Sequence, residues 1–192
     1  MMTEDSRRGV AYVIGLSVLA LAIQLYVDTG EVFDGVTGEP LEDVHVISRW
    51  NGDWFAGVRS HRVCFKVDAT RTSRMGKFTL LSNSFSLNPM MSEPTQTLIY
   101  YKPGYQIRAL LADSPRDAVA LIPDNRKGVE RLEDLAGRSR SANCWIRGTE
   151  PRAALPLFRS VYEEMKSLGQ SAEEQRFVNA ARALVEAIEK GE

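Results

Sequence analysis

The run Gly30-Glu31-Val32-Phe33-Asp34-Gly35-Val36-Thr37-Gly38-Glu39-Pro40-Leu41-Glu42-Asp43-Val44-His45-Val46-Ile47 constrains the fold of this chain more than any other. Val32 and Asp34 share one side of a strand, and Val44 and Val46 share one side of the next, so each run can bury one face. Between them Gly35 and Gly38 can take positive φ. Pro40 fixes φ and removes a donor, which suits a turn or the first residue of a strand. Leu41 can then fold back onto a core. Such a stretch opens a β domain.

The alternation continues downstream. Val63, Phe65, Val67 and Ala69 fall on one strand face and Cys64, Lys66, Asp68 and Thr70 on the other, with residues 76–81 predicted as the hairpin mate. Trp50-Asn51-Gly52-Asp53-Trp54 carries the Asn-Gly pair of a tight turn between two aromatic ends. Residues 81–96 show no sustained period and are predicted as a long excursion, a candidate functional surface. Strand character resumes at Thr97, turns at Pro103-Gly104 as a type II turn requires, continues from Tyr105 to Leu111, and closes at residues 118–122. The total is about seven strands, at the spacing expected of a sandwich.

Three segments carry a family resemblance. The opening run reads Gly-x-Val-x-Asp-x-x-Thr-Gly-x-Pro-Leu-x-x-Val-x-Val and resembles the start of the carboxypeptidase regulatory-like domains. The segment from Thr70 to Leu80 is similar to that family's Thr-Asp-x-x-Gly-x-Phe hairpin, with Ser73 where the family has Asp. Lys102-Pro103-Gly104-Tyr105 is similar to its Gly-Tyr turn. The resemblance implies a transthyretin/prealbumin-like (Ig-like) β-sandwich over residues 28–123, and motifs of this kind specify fold rather than function.

Before this domain, residues 1–8 are polar and end in Arg7-Arg8, and Val10 to Val27 is apolar apart from Ser17 and Gln24. That length is close to the roughly 17–25 residues a bilayer core demands. Ala20-Leu21-Ala22 also fits a signal-peptidase site. Residues 1–27 are therefore predicted as a signal peptide or an N-terminal transmembrane anchor. The protein is expected to be periplasmic or extracytoplasmic, either secreted or anchored to the inner membrane.

After Pro123 the hydrophobic period lengthens to near four, so residues 124–192 are predicted as a helical appendix ending in an antiparallel helix hairpin. A short helix around Val129, Leu132 and Leu135 is expected to stop at Gly137. Thr149 can cap a longer helix with Pro151 in its first turn and Gly169 at its end. Ser171-Ala172-Glu173-Glu174 is a capping box for the last helix. The two cysteines, Cys64 and Cys144, would both reach an oxidising compartment, where one intramolecular disulfide would pin the appendix to the outer side of the sandwich. Two unpaired thiols are the alternative.

Chemistry is sparse by comparison. The two histidines, His45 and His61, sit in no His-Glu-x-x-His pattern, and there is no Cys-x-x-Cys, no Gly-x-Ser-x-Gly elbow and no phosphate-cradling glycine loop. No catalytic residue, metal site or cofactor is expected. A formal net charge of -1 gives no electrostatic reason to expect a nucleic acid. The preferred expectation is a non-catalytic envelope protein whose sandwich serves as an interaction or scaffold module for another envelope protein. The alternative is a small-ligand or carbohydrate-binding module using an aromatic surface of Trp50, Trp54, Tyr100, Tyr101 and Tyr105.

Overall fold

A computed structural model describes residues 27–55, 60–81, 91–111, 117–142, 144 and 151–191. The N-terminal apolar run before Val27, most of the 81–96 segment and Thr149 lie outside the described residues. Among the described residues no helix is long and apolar enough to cross a membrane.

Among the described residues seven strands precede three helices: β1 (Val27–Asp34), β2 (His45–Phe55), β3 (Ser60–Arg71), β4 (Lys77–Leu81), β5 (Met91–Tyr101), β6 (Arg108–Leu111) and β7 (Ala118–Leu121), then α1 (Gly128–Ser139), α2 (Leu155–Leu168) and α3 (Ala172–Lys190). They form a three-stranded sheet in the order β4-β1-β7 and a four-stranded sheet in the order β3-β2-β5-β6. The opening run therefore joins two different sheets. Gly38 takes φ 75° in its turn, and Leu41 folds back into the core with its amide donating to the Val32 carbonyl at 2.9 Å. Gly35 does not need the left-handed region.

The four-stranded sheet is buried on both faces at residues 45–48 of β2 and 98–101 of β5. Val46, Leu98 and Tyr100 meet Val32, Phe78, Leu80, Val119 and Leu121 of the other sheet in one core. Ile47, Ile99 and Tyr101 alternate with them and meet Leu132, Leu135, Leu157, Phe158, Val161, Met165 and Ile188 of the helices in a second core. Period-two alternation makes this possible, since adjacent strand residues point to opposite faces. The helical stripes thus pack on one another and on the sheet together.

Several local expectations are corrected. Residues 77–81 do not pair with β3. The turn at residues 73–76 carries the chain across to the three-stranded sheet, where β4 lies antiparallel to β1. That crossing depends on Gly76, whose φ is 70° and where a Cβ would stand 2.4 Å from the Val32 carbonyl oxygen. The Asn51-Gly52 pair is no turn. It lies inside β2, where the register shifts against both neighbours, and Gly52 is buried. β5 begins at Met91, so residues 91–96 are strand rather than loop, and Pro94, which cannot donate to a ladder, falls in the interval where the β2–β5 register shifts. Helix α1 runs through Gly137 to Ser139, since a glycine only weakens a helix that packing holds. A 3-10 turn at Pro151–Ala154 precedes α2. The Ser171 capping box forms with both of its hydrogen bonds, and Gly169 ends α2.

Candidate interaction surface

The Gly104-Tyr105 turn is the hub on which sheets and helices meet. Gly104 takes φ 81°, and the Tyr105 amide donates to the Lys102 carbonyl at 3.0 Å. The Tyr105 hydroxyl donates to Asp34 Oδ2 at 2.7 Å, while Asp34 Oδ1 accepts the Val36 and Thr37 amides. The Thr37 amide, then the Tyr105 hydroxyl and the Val36 amide hold the Asp34 carboxyl below its ordinary range. On its other side the Tyr105 carbonyl accepts from Arg131 Nη2 at 2.9 Å, and the Gly104 amide donates to Glu164 Oε1 at 3.3 Å.

Arg131, 2% exposed, is the buried cation of this junction. Its Nη2 lies 2.7 Å from Glu164 Oε1, and its Nη1 bonds Asp124 Oδ2. Arg126 also binds Asp124 and reaches Asp134 at 2.8 Å, where Arg138 adds a bond of 2.6 Å. The hydrogen bond from Arg126 is the main reason the Asp124 carboxyl is lowered to about 2. Three guanidinium groups face three carboxylates, so a buried cluster that would be costly with one partner missing is neutral. The Tyr101 hydroxyl completes it by donating to Glu164 Oε2 at 2.6 Å, and burial followed by the Glu164 charge raises the phenol above its ordinary range. Tyr101 also stacks on His45, with ring centroids 6.0 Å apart. Burial first, and then Arg71, lower the His45 imidazole to about 4. His45 is therefore a buried neutral ring, and His61 an exposed residue of β3.

The second tether is covalent. Cys64 and Cys144 form a disulfide with Cα atoms 5.4 Å apart. Unbroken alternation would turn Cys64 away from Val67 and its helix contacts. In the β2–β3 ladder, however, Trp50 pairs with Lys66 and Asn51 with Cys64, so Phe65 is skipped. Such a bulge reverses the facing of every residue beyond it, and turns Cys64 to the side that carries Val67 against the helices.

Held this way, the three helices leave a cavity of about 240 Å³ between them. Phe158, Val161 and Met165 of α2 and Phe177, Ala181 and Leu184 of α3 give it an apolar wall. Ser139 and Arg140 stand at the end of α1, and Arg140 is exposed. The aromatic residues make no comparable surface. Tyr100 and Tyr101 are fully buried on opposite faces of β5, Tyr105 is engaged with Asp34, Trp50 lies in the middle of β2 and Trp54 near its end. These five side chains do not line one cleft. Neither the ionic hub nor the groove was legible in the sequence, because both assemble residues distant along the chain. The sequence offered only a hint of the hub, in the charged residues clustered after Pro123.

Among the described residues no group of three His, Cys, Asp or Glu side chains converges closely enough to hold a metal ion. No family model matches the sequence, and no curated protein matches it. Among solved structures the chain is similar to a 9R-lipoxygenase from Cyanothece PCC8801, at 11% identity and a TM-score of 0.29, over 79% of this chain and 26% of that one. A likeness at that level carries no argument about fold or activity.

Proposed function

We propose that this is a non-catalytic envelope protein in which a transthyretin-like β-sandwich serves as the scaffold for a helical interaction surface. Two facing sheets of three and four strands with a common core support the sandwich reading. The opening run and the Gly76 turn carry the chain between the two sheets, and the Gly-Tyr turn bonds Asp34 of the three-stranded sheet. Export is supported by the apolar run after Arg7-Arg8 and by a disulfide, a bond that persists in oxidising compartments.

The observation that carries the reading is the groove between α1, α2 and α3, on a helical layer tethered to the sheet by a disulfide and a buried ionic hub. A preorganised apolar groove is suited to recognising an apolar side chain of another protein, since little ordering entropy opposes binding. The exposed Arg140 favours an acidic neighbour on that partner. The aromatic-ligand alternative loses support because its five residues are dispersed.

A photo-crosslinking residue at the exposed Ala180 is expected to capture a defined envelope protein in cells, whereas one at Thr79 on β4 is not. Filling the groove with Ala181→Trp should abolish the Ala180 adduct while leaving the protein folded. Equal adducts from both positions, or an Ala180 adduct indifferent to Ala181→Trp, would refute the groove.

A further inference from the structure

We infer that the groove between the helices receives the C-terminal residue of its partner, with a large apolar side chain in the cavity and the terminal carboxylate on Arg140. The inference rests on the reading of the groove as the recognition surface and adds the chemistry of what enters it.

Size limits what can enter. The cavity of about 240 Å³ is larger than the roughly 150 Å³ that holds a benzene ring in an apolar core, and smaller than the roughly 300 Å³ at which sites for drug-sized molecules begin. One phenylalanine or leucine side chain fills such a space. A docked helix presents several anchors at spacings of three and four residues and needs a longer trough.

Charge decides what stands beside that side chain. Of the residues lining the groove only Ser139 and Arg140 are polar, and the Ser139 hydroxyl is directed to the Ala136 carbonyl. Arg140 is exposed and opens the 3-10 turn that follows α1. Other arginines of the helical layer are engaged by carboxylates of this chain: Arg131 by Glu164, Arg138 by Asp134 and Arg159 by Glu189. Among the described residues no carboxylate pairs with Arg140, so its guanidinium donors are available to an incoming anion at the rim of an apolar cavity.

An acidic side chain adjacent to the anchor meets that cation poorly, because successive side chains of an extended segment point to opposite sides. A terminal carboxylate is attached to the same Cα as the anchoring side chain, so it reaches the rim of the cavity that the side chain fills. A guanidinium can hold it with two parallel N–H···O bonds. The turn that carries Arg140 is itself held, since Ala142 is fully buried and Cys144 is bonded to Cys64 of β3. Little backbone ordering therefore opposes the pairing.

The test uses the full-length protein in lipid nanodiscs free of detergent, which would itself enter an apolar groove. The probe is a tetrapeptide ending in para-fluorophenylalanine, as the free acid and as the C-terminal amide, with binding read from the broadening of its fluorine resonance. The acid should bind about three- to fivefold tighter than the amide, the scale of an ion pair at an exposed rim. Arg140→Met, which keeps the apolar stem, should erase that preference and leave amide binding unchanged, while Ala181→Trp should abolish binding of both. Equal binding of acid and amide, both lost on Ala181→Trp, would overturn the terminal carboxylate and spare the groove. A preference for the acid that survives Arg140→Met would overturn the assignment to Arg140. Binding of neither peptide would overturn the inference, and the groove itself would fall only if the Ala180 adduct were also indifferent to Ala181→Trp.

Discussion

His45 shows how burial makes a titratable residue a structural one. Its ring is stacked on Tyr101, and its imidazole is lowered to about 4 from an ordinary 6.5. The unfolded chain therefore binds a proton that the folded chain resists. The resulting stability is fully present above the unfolded pKa and is lost as pH falls towards the folded one. Between pH 7 and 5, urea unfolding should show a loss of about 1 to 2 kcal/mol from this group. His45→Phe should flatten that interval, and an unchanged slope would exclude His45 as its source. Arg131 tests the opposite case, a buried charge that is fully paired. Arg131→Met strips Glu164 of its buried cation, while Asp124 keeps Arg126, and should destabilise by about 3 to 5 kcal/mol. The exposed Arg159–Glu189 pair is the control, and Arg159→Ala should cost no more than about 1 kcal/mol. Comparable losses at the two sites would show that the hub is not a buried charge cluster.

Among the elements, the helices are the part that depends on tethers. Each strand of the four-stranded sheet keeps its ladder, and β2 and β5 keep the core shared with the other sheet. α2 and α3 reach the β domain through one apolar face, Glu164 and the adjoining disulfide segment. The bond closes a separation of 80 residues, which in the chain-entropy model stabilises by about 4 to 5 kcal/mol. Cys144→Ser should therefore raise amide exchange in residues 125–191 well above that in β1, β2 and β5. Uniform acceleration throughout the chain would mean that the helical layer and sheets unfold as one unit. Alkylation under denaturing, non-reducing conditions should label neither cysteine, and labelling of both would refute the bond.

At the scale of the whole molecule the arrangement is layered: three strands, four strands, then helices. The middle sheet has no solvent face at residues 45–48 of β2 and 98–101 of β5. This explains why β5 reads as the near-continuous apolar run Leu98-Ile99-Tyr100-Tyr101 rather than as alternation. If Arg7-Arg8 stay in the cytoplasm, everything from Gly30 onward faces outwards, and protease added to spheroplasts should digest the β domain. Its protection in intact spheroplasts would sink the topology.

What the sequence determined by itself was local. The turn at Gly38, the type II turn at Gly104, the Ser171 capping box and the end of α2 at Gly169 each depend on a few adjacent residues whose φ, hydrogen bonds or missing side chains admit one solution. Strand alternation and helical stripes were legible for the same reason, since their periods are properties of the backbone. The tertiary structure decided which sheet each strand joined. It also set Tyr100 and Tyr101 in opposite cores, and joined Asp34, Tyr105, Arg131 and Glu164 through one turn. The facing of Cys64 is the sharpest case. Its local pattern places it with Lys66, and a single skipped residue opposite Trp50 and Asn51 turns it to the helices. A bulge is fixed by how two strands satisfy their ladder and cores together, and a pattern read along one strand cannot contain it.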